Sequence, residues 1–352
     1  MPVKGGADVV DVSVIGASGY GGGEVVRLLL GHPEAHLRHL VAETRVGEPF
    51  AEVFPNVRGF IDGRTEPLDP AAVAADSDVV FLALPNGVAM SLVPQLDDRV
   101  RVVDLAADFR FRGAPAYERW YKTPHIAEAL LEEAAYGLPE LHRAEIRRAR
   151  IVGNPGCYPT AALLAIAPLL RSGLARPTAI VIDAKSGVSG AGRAASSRTH
   201  FSEVNENVFA YSTPGHRHSG EIEEELRLLA GEVSFTFTPH LIPMTRGILA
   251  TVYLQPARAV TREAAEAAFR EAYGGEPFVR VLDGESLPQT KATLGSNFCD
   301  VAVRVDPQSG TIIAFAAIDN LVKGAAGQAV QNMNLMCGFP EELGLRVPGL
   351  FP

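Results

Sequence analysis

The feature that most constrains this fold lies near the start of the chain. A β-branched run, Val9 to Ile15, leads straight into Gly16-Ala17-Ser18-Gly19-Tyr20-Gly21-Gly22-Gly23. A helical stretch from Glu24 to Leu30 follows and is closed by Gly31-His32-Pro33. A short β-branched run is the signature of a buried parallel strand. Strand, glycine turn and helix in that order form a phosphate cradle, because glycines let the backbone approach a pyrophosphate and the helix N-terminus meets its charge. The spacing is G-x-x-G-x-x-G, not G-x-G-x-x-G, so its position at the first strand–helix junction carries the reading. Gly16, Ser18, Gly19, Tyr20 and Gly22 are the expected cofactor contacts, with a purely structural glycine turn as the alternative.

A second strand, His36 to Ala42, ends at Glu43-Thr44-Arg45. An acidic residue there suits a ribose 2′-hydroxyl, whereas Arg suits a 2′-phosphate. Thr44 and Arg45 point to NADP, and Glu43 points the other way. Two further buried strands, Val79 to Leu84 and Val100 to Leu105, run into Pro85-Asn86-Gly87 and Ala106-Ala107-Asp108-Phe109-Arg110. Ligands of open α/β sheets sit at such strand C-termini. Leu84 and Pro85 are therefore expected at the cofactor crevice and Arg110 as an anion clamp, with a surface salt bridge as the alternative for Arg110.

The second half of the chain opens on a thiol. Gly153-Asn154-Pro155-Gly156-Cys157-Tyr158-Pro159-Thr160 is a tight turn followed at once by an apolar run with helical spacing to Leu170. A cysteine at a helix N-terminus is held towards thiolate by unpaired N–H groups and the helix dipole. A thiolate is a strong nucleophile, and a helix start also offers N–H groups to an oxyanion. A small buried hydrophobe is the alternative reading.

A strand from Ala179 to Ala184 then meets Lys185-Ser186-Gly187-Val188-Ser189-Gly190-Ala191-Gly192-Arg193, whose glycines, serines and cations suit an anion nest or a flexible surface loop. His216-Arg217-His218 precedes a helix through Leu229 and offers a general acid/base, with solvated loop histidines as the alternative. The two histidines lack the companion ligands of a zinc site, so no metal is expected. Apolar segments at 234–238, 249–254, 278–281, 301–305 and 311–317, with a helix from Thr261 to Tyr273 among them, read as a mixed or antiparallel sheet. A last helix, opened by Asp319-Asn320 and running to Met336, is rich in small residues and is expected to pack on the first domain.

Length and composition bound these readings. The chain has 352 residues, 47% of them hydrophobic, enough for about two domains. Three scattered cysteines exclude a disulfide framework, and Cys299 and Cys337 read as structural. A net charge of −9 with no basic run argues against nucleic acid or an anionic membrane as partner. No stretch reaches the roughly 18 unbroken apolar residues of a membrane span. Met1 to Asp11 lacks the pattern of a secretory leader, so a cytoplasmic location is expected.

Several blocks then coincide in order. They are Gly16-Ala-Ser-Gly19-Tyr-Gly21-Gly22, Asp104-Leu-Ala-Ala-Asp108-Phe-Arg110, Gly153-Asn-Pro-Gly-Cys157-Tyr-Pro-Thr160, His200-Phe-Ser-Glu203-Val-Asn205-Glu-Asn207, His216-Arg-His218 and Asp319-Asn-Leu-Val-Lys323-Gly-Ala-Ala-Gly327. Over nearly its whole length the chain resembles the N-acetyl-gamma-glutamyl-phosphate reductase family of the aspartate-semialdehyde dehydrogenase superfamily. Ser219-Gly220 departs from the family's more usual residue-then-proline, and Ala107 from its usual serine.

The resemblance implies NADP-dependent reduction of an acyl phosphate through a thioester on Cys157, with His218 as acid/base, His216 its alternative, and release of inorganic phosphate. It implies phosphate contacts from Arg110 and Asn154. Lys185 and Ser186 to Gly192, Gly187 included, are expected to cradle either the substrate phosphate or the cofactor 2′-phosphate. Asn320 is expected to orient the nicotinamide carboxamide. A homo-oligomer, dimer or tetramer, is implied as well. An aminoadipyl-phosphate reductase with a carrier-bound substrate, from lysine biosynthesis, is the nearest rival, and a non-catalytic dinucleotide sensor is the rival of another class. The expected architecture is α/β: a Rossmann-type doubly wound domain over residues 1–156, completed by 324–352, and an α+β catalytic and oligomerisation domain with a large mixed sheet over 157–323.

Overall fold

The computed structural model describes residues 9–351; residues 1–8, most of the stretch read for a leader, lie outside it. The helices that matter below are α1 (Tyr20–Leu29), α2 (Ala114–Tyr121), α3 (Cys157–Arg171), α4 (His218–Ala230), α5 (Arg262–Tyr273) and α6 (Gly327–Cys337). Among the described residues no helix is long and apolar enough to cross a membrane. The chain divides into two compact units. One holds the chain up to Glu118, Thr123–Asn154 and Ala326–Arg346; the other holds Arg119–Lys122, Pro155–Ala325 and the segment from Val347. The terminal segment from Val347 thus groups with the second unit, not with the first as the sequence suggested.

The first unit is built on a parallel sheet of β1 (Val10–Ile15), β2 (Ala35–Val41), β3 (Val79–Leu82), β4 (Arg101–Asp104), β5 (Ala134–Tyr136) and β6 (Ile151–Gly153). Their order is β2-β1-β3-β4-β6-β5. Every residue of β3 is buried, as a strand covered on both faces requires. Register aligns the ends: Ile15 pairs with Leu82, Leu82 with Asp104 and Asp104 with Gly153. The segments that follow these four residues therefore leave the sheet along one edge. Helix α6 packs on α1 and β4, and Asn334 of α6 bonds His32 Nε2 at 2.9 Å.

Helix α1 begins four residues earlier than the sequence pattern suggested, and its first turn contains the glycines. A Cβ on Gly22 would lie 2.3 Å from Gly16 O, and one on Gly23 2.4 Å from the Phe54 ring. Close packing, not turn formation, sets glycine there.

The second unit is built on seven strands: β7 (Ile180–Ser186), β8 (Phe209–Ala210), β9 (Phe235–Leu241), β10 (Ile248–Leu254), β11 (Val279–Val281), β12 (Cys299–Val305) and β13 (Ile312–Ile318). The order is β11-β12-β13-β10-β7-β9-β8, with β7–β9 and β11–β12 parallel and the other pairs antiparallel. Period-two alternation sorts β7: Ile180, Ile182, Ala184 and Ser186 are buried, and Val181, Asp183 and Lys185 face the other way. Helix α3 packs on β10 and β13, with α4 and α5 beside it. Every residue of α3 from Tyr158 to Leu170 is buried, which explains a helix that is apolar all round.

Candidate active site

In the first unit the start of α1 has the form of an anion cradle. Its N-cap Gly19 is extended, has no side-chain cap, and no acidic residue lies in the first turn. Gly16 sits at φ +89°, and a Cβ there would meet Ala83 O at 2.2 Å, so only glycine fits. Ser18 Oγ lies 3.3 Å from Thr44 Oγ1, which brings the glycine loop to the end of β2. Exposed Tyr20 stands at the first helical position. These residues fit a dinucleotide, because a helix N-terminus with no side-chain cap and no carboxylate in its first turn favours an anion. Arg45 donates from Nε and Nη2 to Glu48 Oε2 at 2.9 and 2.6 Å, so its charge is directed towards a neighbouring carboxylate.

The end of β4 is dominated by carboxylates. Asp108 accepts from the backbone of Gly87 and Met90 and from the Tyr117 hydroxyl, which pins the loop holding Leu84 and Pro85. Burial first, and then the neighbouring Asp108, push the Asp104 carboxyl up to about 7, against the pull of Arg110. Arg110 donates to Leu105 O at 2.7 Å. Asn154 is buried, receives a bond from Asn332 Nδ2 at 3.1 Å and donates its N–H to Asp104 O.

In the second unit α3 starts at Cys157 itself, after N-cap Gly156, with no side-chain cap. The thiol is half-buried and in no disulfide. Glu221, in the first turn of α4, is fully buried and accepts the Gly156 N–H through Oε2 at 2.8 Å. Its Oε1 lies 4.0 Å from His218 Nε2. A Cβ on Gly156 would stand 2.7 Å from that same Nε2, so the glycine is what lets the imidazole reach the start of α3. Gly324, within a single π-helical turn at Val322–Ala326, closes the other side, its Cβ position 2.8 Å from Cys157 Cβ. Such turns recur at functional sites.

The two histidines differ in surroundings. His216 is ringed edge to face by Tyr158, Tyr211, His218 and Phe237. Its Nδ1 accepts the His218 backbone N–H at 3.2 Å. Burial first, and then Arg217, lower it to about 4, so it is neutral at ordinary pH. Burial also holds the Tyr158 phenol protonated far above its usual range, and Tyr211 is pushed up to about 12. A cleft of about 460 Å³ is lined by Cys157, Ser186, Arg198, Tyr211, Arg217 and His218, among others.

Not every expected residue joins that cleft. Lys185 projects from the opposite face of β7 to Ser186 and pairs with Asp183 at 2.6 Å, so it does not share a cradle with its neighbour. The loop after it is no open nest: Val188 and Ser189 donate their N–H groups to Met244 and Thr245 carbonyls. Gly187 backs onto Thr245 O, 2.7 Å from where its Cβ would be. Asn320 is occupied at both ends of its amide, accepting from Gly247 N at 2.7 Å and donating to Ser189 Oγ at 3.0 Å. Glu221, Tyr211 and Gly324 were not singled out from sequence. For Glu221 the one available signal is its place three residues after His218, which puts both on one helix face.

Comparison with known proteins bears on the family. Residues 11–149 match the semialdehyde dehydrogenase NAD binding domain and residues 157–320 the semialdehyde dehydrogenase dimerisation domain. An N-acetyl-gamma-glutamyl-phosphate reductase of Pelotomaculum thermopropionicum is 51% identical over 97% of this chain and 99% of its own. One from Symbiobacterium thermophilum is 53% identical over 96% and 97%. Among solved structures, aspartate semialdehyde dehydrogenase II of Vibrio cholerae superposes with a TM-score of 0.69 at 18% identity, over 93% of this chain and 98% of its own. The NADP complex of the Candida albicans aspartate semialdehyde dehydrogenase gives the same TM-score at 17% identity, over 94% and 98%. The first unit thus carries the family's nicotinamide-dinucleotide domain, and the chain belongs to the N-acetyl-gamma-glutamyl-phosphate reductases within the semialdehyde dehydrogenase family.

Proposed function

We propose that the chain reduces N-acetyl-gamma-glutamyl phosphate to N-acetylglutamate 5-semialdehyde, with NADPH as reductant, as a step of arginine biosynthesis. The observation that carries this reading is Cys157 at the first position of α3, with His218 Nε2 brought to that helix start. His218 takes the thiol proton, and Sγ attacks the acyl carbon. The carbon–oxygen bond to phosphate breaks, phosphate leaves with the proton from His218, and a thioester remains on Cys157. A reduced nicotinamide, when bound, would supply a hydride to the thioester carbon, giving the oxyanion of a thiohemiacetal. The start of α3 stabilises the oxyanion in both steps. Collapse releases the aldehyde and the Cys157 thiolate, which regains a proton from solvent through His218. His216, neutral and caged, fixes the backbone of His218 instead of exchanging protons itself.

Arg198 and Arg217 make the cleft cationic, which suits an anionic substrate despite the negative net charge of the chain. Arg110 and Asn154 are assigned to the phosphate, and Ser18, Thr44 and Arg45 to the 2′-phosphate of NADP. Arg45 would have to exchange Glu48 for that phosphate. The half-exposed face of the second sheet, with Val181 and Tyr253 each 40% exposed, is assigned to a second copy of the chain, in line with the dimerisation domain it matches.

The test is phosphate-dependent reduction of NADP+ by N-acetylglutamate semialdehyde, with wild type against Cys157→Ser. Turnover that needs phosphate and disappears in the variant is expected. Equal activity in the variant overturns the covalent mechanism, and a reactive thiol without turnover of this aldehyde points to the aminoadipyl substrate.

A further inference from the structure

The last turn of α2 belongs to the second unit, and there Trp120 meets Gly220 in the first turn of α4. A Cβ on Gly220 would lie 2.4 Å from Trp120 Cδ1 and 2.7 Å from Cγ and Nε1. The indole occupies the volume that any side chain at this position would need. Gly220 has no positive φ, and glycine weakens a helix, so the backbone gives no reason for it; the ring does. Arg119 lies 5.4 Å over the same ring and reaches Glu223 of α4 at 3.4 Å. Gly220 follows His218 by two residues, so it lies on the far side of the helix from the imidazole, and the indole bears on α4 from behind.

We propose that Trp120 is a positioning residue: seated in the notch at Gly220, it sets how closely the first turn of α4 approaches α3, and with it the placement of His218 at Cys157. The inference rests on the roles given above to these two residues.

The test is the rate of Cys157 alkylation by iodoacetamide across pH, which needs no substrate, together with kcat and KM for the semialdehyde. Trp120→Ala is expected to slow alkylation and lower kcat about tenfold with KM little changed. Gly220→Ala is expected to do the same, whereas Trp120→Phe, which still fills the notch, stays near wild type. In a His218→Asn background Trp120→Ala should add no further loss. An alkylation profile unchanged by Trp120→Ala overturns the proposal. So does an equal loss with and without His218, which would mark a general structural lesion. If His218→Asn itself leaves alkylation unchanged, the acid–base reading falls and this proposal with it; turnover with Cys157 intact then reports separately on the overall reaction.

Discussion

Helices α1 and α3 start in closely similar ways and end up suited to different work. Each follows a strand of the parallel sheet, and each of those strands runs into a glycine with no room for a side chain. A Cβ on Gly16 would lie 2.2 Å from Ala83 O, and one on Gly153 2.1 Å from Phe109 O. Each helix then begins without a side-chain cap. At α1 the first turn is nearly bare, and the positive end of the helix is left for an anion from outside. At α3 the first turn carries a thiol, and a second helix brings a carboxylate and an imidazole against it. On the function proposed above, the same local device binds where it is left empty and reacts where another element supplies a base.

Gly156→Ala should break the contrast most sharply. The methyl would collide with His218 Nε2, and a displacement of this order lowers kcat about 100-fold. Steady-state kinetics and dinucleotide titration check it: turnover should fall while dinucleotide affinity stays within about twofold of wild type. Gly22→Ala is the complementary test at the other helix. Its methyl would press on Gly16 O, and dinucleotide Kd should rise about tenfold with the alkylation rate of Cys157 unchanged.

The smallest effect concerns Asp104 at the end of β4. The folded state holds the Asp104 proton up to about 7, whereas the unfolded chain releases it near 3.8. Between these values the folded state binds more protons, so this group costs stability progressively as pH rises through that window. Asp104→Asn retains an acceptor for Ala106 N and removes the charge. Thermal scans should show a gain of about 2–4 °C at pH 8 and a smaller one at pH 5.

Much of this was legible in the chain. The start of α3 could be read because a Gly-Pro turn and an apolar helix meet at one residue, and period-two alternation marked the long strands. Strands β5, β6 and β8 were not read, since two or three residues are too few to show a period. The start of α1 was misplaced because Gly22 and Gly23 look like turn residues when only their neighbours in space, Gly16 and Phe54, explain them. Lys185 was grouped with Ser186 although the alternation in β7 already separates them by face. Glu221 and Trp120 depend on contacts between segments about 65 and 100 residues apart, which no local pattern encodes.

Glu221 has one further consequence. One oxygen of its carboxylate holds the peptide that precedes the thiol, and the other faces the imidazole. The spacing between sulfur and base is therefore set across a single joint, not summed over the 60 or so residues that separate them along the chain. A shift of either helix start must therefore strain or carry the Glu221 carboxylate that the two share.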